Sequence, residues 1–232
     1  MNAQTTLPKS PFSSRSTAEE VTRGLDLSGQ NILITGCNSG LGLETMRVLA
    51  ARGAHIIGVA RSREKAAEAA REAGADITAV ACDLADLDSV VTCTREIQTL
   101  KQPIDALICN AGIMALPQLQ QRYGLELQFV TNHLGHFVLV NHLLARVRQA
   151  RAGRIVMVSS LGHYTTVPGG INFDNLSGDK RYVPFEFYGQ SKMANLLMSN
   201  ELSRRLEGSR ATANASHPGI IHTPLRRHYG NM

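Results

Sequence analysis

Tyr188 and Lys192 stand four residues apart in the run Tyr188-Gly189-Gln190-Ser191-Lys192-Met193-Ala194-Asn195, and of five tyrosines only this one has a lysine at that spacing. On a helix, positions i and i+4 share a face, so the phenol and the ammonium would lie side by side. A free phenol titrates near pH ~10 and is a poor acid-base group at neutrality. A neighbouring cation favours the phenolate and draws the pKa toward working pH, where proton transfer is most effective. Alone, such a pair is only suggestive. It gains weight from a second motif far upstream.

That motif is Ile32-Leu33-Ile34-Thr35-Gly36-Cys37-Asn38-Ser39-Gly40-Leu41-Gly42, followed by a segment of helical period. A short apolar run bounded by glycine reads as a buried strand. Glycines at a strand-to-helix turn let backbone N–H groups approach a pyrophosphate, which the helix N-terminus stabilises. The spacing is Gly-x-x-x-Gly-x-Gly, and the competing reading is an ordinary tight turn. The next strand, His55-Ile56-Ile57-Gly58-Val59-Ala60, ends in Arg61-Ser62-Arg63. An enzyme that prefers NAD places a carboxylate there to grip the ribose 2′-hydroxyl. Arg61 can instead neutralise a 2′-phosphate, which predicts NADP(H). Its bland alternative is a surface arginine.

These elements, and what lies between them, resemble the short-chain dehydrogenase/reductase family. Thr35-Gly36-x-x-x-Gly40-x-Gly42, with Asn38, Ser39 and Leu41 between the glycines, matches the family's cofactor motif. Asn110-Ala111-Gly112 matches its central strand-end motif, and Asn132 in Asn132-His133-Leu134-Gly135-His136-Phe137 falls on its helix asparagine. Ser160, closing Arg154-Ile155-Val156-Met157-Val158-Ser159-Ser160, falls on its serine, and Pro218-Gly219 with Thr223 completes the set in order. The resemblance spans about residues 30–223. It is strongest to the retinol dehydrogenase and WW-domain oxidoreductase branch, while the opening Phe12-Ser13-Ser14-Arg15-Ser16-Thr17-Ala18-Glu19-Glu20 is similar to the dehydrogenase of the chloroplast inner-envelope translocon.

The resemblance implies roles. Tyr188 would give or take a proton, and Lys192 would lower its pKa and hold the nicotinamide ribose. Ser160 would polarise the substrate carbonyl. Asn132 would bring a backbone distortion and an ordered water linking Lys192 to solvent. Asp83 would meet the adenine amino group with Leu84 beside it, although Asp83 could also cap a helix, a task open to Asp86 as well.

To position such residues the chain alternates strand-like and helix-like segments. Strands are expected near 31–35, 55–60, 77–82, 104–109, 154–159 and 211–216, with helices near 41–52, 62–73, 86–100, 121–149 and 188–207. The alternation predicts an α/β fold, a doubly wound Rossmann-type parallel sheet with helices on both faces. Residues 161–187, with Pro168-Gly169-Gly170 and Pro184, read as a functional loop. Residues 1–28 read as a polar N-terminal arm in which Ser16-x-x-Glu19 or Thr17-x-x-Glu20 could start a short helix. Residues 29–232 read as one dinucleotide-binding catalytic domain, short at its C-terminus. Family members continue with further helices and a seventh strand. The expectation is therefore an open edge at the sixth strand and a less stable, less active chain than an extended one.

Composition sets outer bounds. A chain of 232 residues with 43% apolar content can bury one sizeable core. No apolar run reaches 18 residues, the length a membrane span needs. Cys37, Cys82, Cys93 and Cys109 show no Cys-x-x-Cys spacing and read as reduced packing residues, which points to the cytoplasm. The net charge of +5 gathers partly in Arg146, Arg148, Arg151 and Arg154, without the interleaved aromatics that nucleic-acid binding wants. His133 and His136 lack a third ligand at metal spacing, so no metal is expected. There is no Gly-x-Ser-x-Gly elbow and no phosphate-binding Gly-x-x-x-x-Gly-Lys loop. The reading is an NADP(H)-dependent oxidoreductase interconverting an apolar alcohol and its carbonyl, compatible with a homo-oligomer. The alternative is a cofactor-binding interaction or redox-sensing module without turnover.

Overall fold

Six strands form one parallel sheet. The computed structural model describes residues 10–226 apart from Ser14, so the start of the polar arm and the chain end at Met232 lie outside the described residues. The strands are β1 (Asn31–Thr35), β2 (His55–Ala60), β3 (Ile77–Ala81), β4 (Ala106–Cys109), β7 (Arg154–Val158) and β8 (Thr212–Ser216); a small hairpin, β5 (Gln121–Arg122) with β6 (Leu125–Glu126), stands apart. Their order is β3-β2-β1-β4-β7-β8, with Leu33 opposite Ile57 and Leu107 and with Ile155 opposite Leu107 and Ala213. Strands buried on both faces read as near-continuous apolar runs, as the inner strands do, whereas the edge strands β3 and β8 carry threonine, alanine, asparagine and serine. Leu33, Leu107 and Ile155 pack on one face with Leu139, Leu143 and Val147. Ile32, Ile34 and Ile56 pack on the other with Met46 and Ala66.

The crossovers are α2 (Gly40–Ala51), α3 (Arg63–Glu72), α4 (Leu87–Thr99), α6 (Gly135–Gln149) and α7 (Pro184–Arg205), with short α1 (Ala18–Val21) before the sheet and α5 (Leu127–Phe129) before α6. Their starts follow local chemistry. Thr17 and Glu20 form a reciprocal capping box on α1, Ser62 caps α3 through Lys65 N–H, and Asp86 caps α4 through Asp88 and Ser89 N–H. Asp86 thus takes the cap that Asp83 could have held.

Two expected segments differ. The helix foreseen from 121 begins instead with the β5–β6 hairpin, which turns at Tyr123 (φ +55°) and Gly124 (φ +71°). It then passes through α5 and a π turn, Val130–Leu134, into α6. The expected loop 161–187 contains 3-10 turns at Leu161–Thr165 and Phe173–Asn175 and yields its last residues to α7. That helix starts at Pro184 rather than at 188, because a proline at the first helical position has no N–H to waste. The strand order reverses between β1 and β4, and in open α/β sheets ligands bind at such a switch point, beyond the carboxyl ends of the strands. No helix among the described residues is long and apolar enough to cross a membrane.

Candidate active site at the carboxyl ends of the strands

The glycine turn after β1 is built to receive backbone-hungry oxygens. Gly36 (φ +67°) and Gly40 (φ +54°) shape it, and Ser39 at the N-cap of α2 makes no side-chain cap hydrogen bond. The first-turn N–H groups of α2 are thus left without the serine that would ordinarily satisfy them. A Cβ on Gly42 would lie 2.1 Å from the Gly36 oxygen and 2.5 Å from Asn110 Nδ2, so only glycine fits. Asn110 sews the end of β4 to this turn, its Nδ2 donating to the Thr35 oxygen at 2.9 Å and to the Gly36 oxygen at 3.3 Å. The Thr35 hydroxyl accepts the N–H groups of Asn110 and Ala111, each at 3.0 Å. Thr223 folds over from beyond β8, where a Cβ on Gly40 would meet its Cβ at 3.0 Å. Asn38 and Leu41 are half-buried in the turn, Ser39 is exposed, and Pro218 and Gly219 lie on the surface.

Arg61, just after β2, is exposed and has no ion pair among the described residues. Its neighbour Arg63 is committed to Glu96 at 2.7 Å and to the Ala79 oxygen. Asp83 is half-buried, with Oδ1 accepting from Ala85 N–H at 2.9 Å. Leu84 has its side chain in the core, and its carbonyl would lie 2.3 Å from a Cβ on Gly135. The structure therefore gives Leu84 a packing task against α6.

Tyr188 and Lys192 stack one turn apart on α7, 5% and 3% exposed, with the ammonium 5.6 Å from the phenol ring centroid. Lys192 Nζ donates to the Val158 oxygen at 3.0 Å. Ser160 follows β7, and its Oγ accepts Gly162 N–H at 3.0 Å and acts on the Tyr188 phenol. Gly162 leaves room for the ring, since a Cβ there would lie 2.9 Å from Tyr188 Cε1. Burial pushes the Tyr188 phenol up, opposed by the Ser160 hydroxyl. Burial pushes Lys192 down to about 8.

Asn132 sits on the π turn, fully buried. Its Oδ1 accepts Ile113 N–H at 2.8 Å, and its Nδ2 donates to the Ile113 oxygen and to Ser191 Oγ, both at 2.9 Å. Ser191 Oγ in turn donates to the Tyr188 carbonyl at 2.7 Å. Segment 112–116, Lys192 and Tyr188 are thereby held in one frame. Gly112 permits it: a Cβ there would stand 3.0 Å from Asn132 Oδ1 and 3.6 Å from Lys192 Nζ.

Two residues of this frame escaped the sequence reading. Gln128, fully buried, accepts Ala115 N–H at 2.6 Å on Oε1 and donates from Nε2 to Glu126 Oε1 at 3.0 Å and the Pro184 oxygen at 3.2 Å. Tyr182 donates to the Leu116 oxygen at 2.8 Å. Ala115 holds a left-handed φ of +51° and packs with Met114 against Tyr188. The missed signal was Gln128 four residues before Asn132, on the same helical face. Glu126 is buried too, and burial pushes its carboxyl up while its hydrogen bonds from Gln128 and Phe129 N–H oppose. Among the described residues no three His, Cys, Asp or Glu side chains converge as a metal site.

This arrangement has known relatives. Over 235 residues the chain is 43% identical to the short-chain dehydrogenase TIC 32 A, chloroplastic, of Brassica napus, covering 96% of this chain and 73% of that protein. It is 40% identical to human retinol dehydrogenase 14 over 232 residues, covering 90% of this chain and 68% of the relative. A solved structure from Mycobacterium Paratuberculosis superposes with a TM-score of 0.75 at 42% identity, covering 88% of this chain and 73% of that one. The RhlG/NADP active-site complex of Pseudomonas aeruginosa shares the fold, with a TM-score of 0.70 at 24% identity over 89% of this chain and 78% of that one. The short chain dehydrogenase family pattern matches residues 30–232, nearly the whole chain, and with these relatives it establishes that the chain belongs to that family of oxidoreductases.

Proposed function

We propose that the chain is an NADP(H)-dependent oxidoreductase that interconverts an apolar alcohol and its carbonyl. The observation that carries this reading is the meeting of the Tyr188 phenol, the Ser160 hydroxyl and the Lys192 ammonium beside an uncapped glycine turn. The residues fit a dinucleotide. The α2 N–H groups and the Gly42 approach suit a pyrophosphate, Asp83 and Asn110-Ala111-Gly112 line the way along the strand ends, and Arg61 suits a 2′-phosphate. When bound, the nicotinamide supplies or accepts the hydride.

The chain's own residues handle the proton and the charge. In the reducing direction Ser160 Oγ–H and the Tyr188 phenol both donate to the carbonyl oxygen as negative charge develops there. Tyr188 completes the transfer and is left as a phenolate, which the Lys192 ammonium one turn away favours. A phenol raised by burial enters that step protonated, as a donor must. Leu161, Tyr164, Phe173 and Ile220 expose apolar surface on the segments that follow β7 and β8, which supports an apolar substrate. Retinaldehyde, suggested by the names of the retinol dehydrogenases among the relatives, is a sensible first member of a carbonyl panel. Four unpaired, buried thiols support a reducing compartment such as the cytoplasm.

Tyr188→Phe is the direct test. It should remove turnover of NADPH against a panel of retinaldehyde, long-chain and aromatic aldehydes while NADPH binding stays intact, because only the titrating hydroxyl is lost. A variant that keeps more than roughly a tenth of the wild-type kcat with unchanged binding would refute the role. A wild type that binds NADPH but turns over no carbonyl would favour the non-catalytic module.

A further inference from the structure

We propose that His136 is a positioning residue: its ring clamps the backbone carbonyl of Asn132 to the Thr35 hydroxyl, holding the π turn in register with the cofactor turn. The proposal rests on the oxidoreductase reading for its purpose, not for its geometry.

His136 is fully buried one turn after Asn132, and both ring nitrogens are engaged. Nδ1 lies 2.9 Å from the Asn132 oxygen. A carbonyl can only accept, so Nδ1 carries the proton and Nε2 is left as an acceptor. Nε2 lies 2.9 Å from Thr35 Oγ. That hydroxyl already accepts the N–H groups of Asn110 and Ala111, so its own proton points to His136; the Ile108 oxygen, at 3.4 Å, is the poorer acceptor. The result is one directed chain from the amides at the end of β4 through Thr35 and His136 to Asn132. Burial pushes the imidazole down to about 4, with the positive charges of Lys192 and His133 acting the same way. It therefore stays neutral, in one tautomer, across the neutral range.

The other lone pair of the Asn132 oxygen is taken by Asn195 Nδ2–H at 3.0 Å, and Asn195 is itself held by His133 at 3.2 Å. Two side-chain donors thus hold this one carbonyl. What the clamp supplies is geometry. A π turn is a rare single-turn bulge in an α-helix, found frequently at functional sites, and here side chains from outside the turn hold the Asn132 carbonyl. Held in place, it aims the Asn132 amide at Ile113 and Ser191, and so at the backbone of Tyr188. The titratable groups facing this frame are Lys192, Cys109, His133 and Tyr188.

The test uses His136→Phe, which keeps the ring volume and removes both bonds, and His136→Gln, whose amide can accept from Thr35 and donate to Asn132. In the wild type, ¹⁵N NMR should show His136 as the neutral Nδ1–H tautomer from about pH 6 to about pH 9. The Nε2–H tautomer would overturn the proposal. With tyrosine ¹³Cζ labelling and saturating NADP⁺, the Tyr188 phenol should titrate at least about half a unit higher in His136→Phe and return toward wild type in His136→Gln. A folded His136→Phe with an unmoved Tyr188, or a His136→Gln as disturbed as the phenylalanine variant, would overturn it. Should His136→Phe not fold, the glutamine variant decides: an unshifted Tyr188 supports the clamp and a shifted one refutes it. Neither readout needs a substrate, so failure here is separable from failure of the proposed activity.

Discussion

Replacing Gln128 with leucine tests whether the wall beside Tyr188 is held by polar bonds or merely by packing. Leucine keeps most of the volume and removes every hydrogen bond. Two fully buried partners lose most: Ala115 N–H, bonded at 2.6 Å, and Glu126 Oε1, bonded at 3.0 Å. A buried polar group stripped of its partner costs about 1–3 kcal/mol, so the pair gives about 2–6 kcal/mol at neutral pH. The upper end is capped by protonation. Burial already raises the Glu126 carboxyl, and the Gln128 bond is the first influence opposing that rise. A raised carboxyl favours folding at low pH, where it is protonated, and that contribution is lost as pH rises through the folded-state pKa. In Gln128→Leu the folded-state pKa climbs further. The destabilisation should therefore be larger near pH 8 than near pH 5. Urea unfolding of both proteins at the two pH values, compared at constant slope, reads it directly. A loss below about 1 kcal/mol, or one that grows as pH falls, would refute the reasoning. Freed from Gln128, Ala115 should also leave its left-handed conformation and unseat Tyr188, lowering kcat more than it raises the KM for cofactor.

Arg61→Ala should weaken NADPH binding by about 1.5–3 kcal/mol, roughly 10- to 150-fold, and leave NADH binding nearly unchanged. Isothermal titration of both cofactors checks it, and a wild type with equal affinities would remove the 2′-phosphate role. Gly42→Ala should lower stability by about 1–3 kcal/mol, because the new Cβ meets backbone at the Gly36 oxygen rather than a side chain that can move. It should also weaken cofactor binding; a thermal melt and an NADPH titration matching wild type would show that the turn yields.

Sequence and structure agree where one stretch of chain carries its own signal. The inner strands β1, β2, β4 and β7 were legible from their aliphatic runs and the edge strands β3 and β8 from their place in the alternation, and Tyr188, Lys192, Ser160 and Asn132 because their types and spacings are unusual. The structure gathers those four at one end of the sheet. Of the π turn, only a backbone distortion at Asn132 was implied, through the family resemblance; its extent over Val130–Leu134 was not legible. The β5–β6 hairpin was hidden because its turn uses Tyr123, a residue that rarely accepts a left-handed φ. Beyond its spacing from Asn132, Gln128 was hard to read because a buried polar residue is defined by partners, and its partners include Ala115, Tyr182 and Pro184, outside its own helix.

The π turn also fixes how long this chain must be. A π turn is an α-helix with one residue too many, so deleting a single residue within Val130–Leu134 would let residues 127–149 run as a plain α-helix. Everything on the N-terminal side would then rotate by about 100° relative to α6. Leu139, Leu143 and Val147 could stay in the core, but Gln128 would face away from Ala115, and Asn132 would leave Ile113 and Ser191. Such a shortened protein should make a more regular helix and could fold well, with its cofactor turn untouched. It would lack the frame around Tyr188. At this point in the sequence, function is written as a count of residues, and an alignment gap of one position matters more than most substitutions.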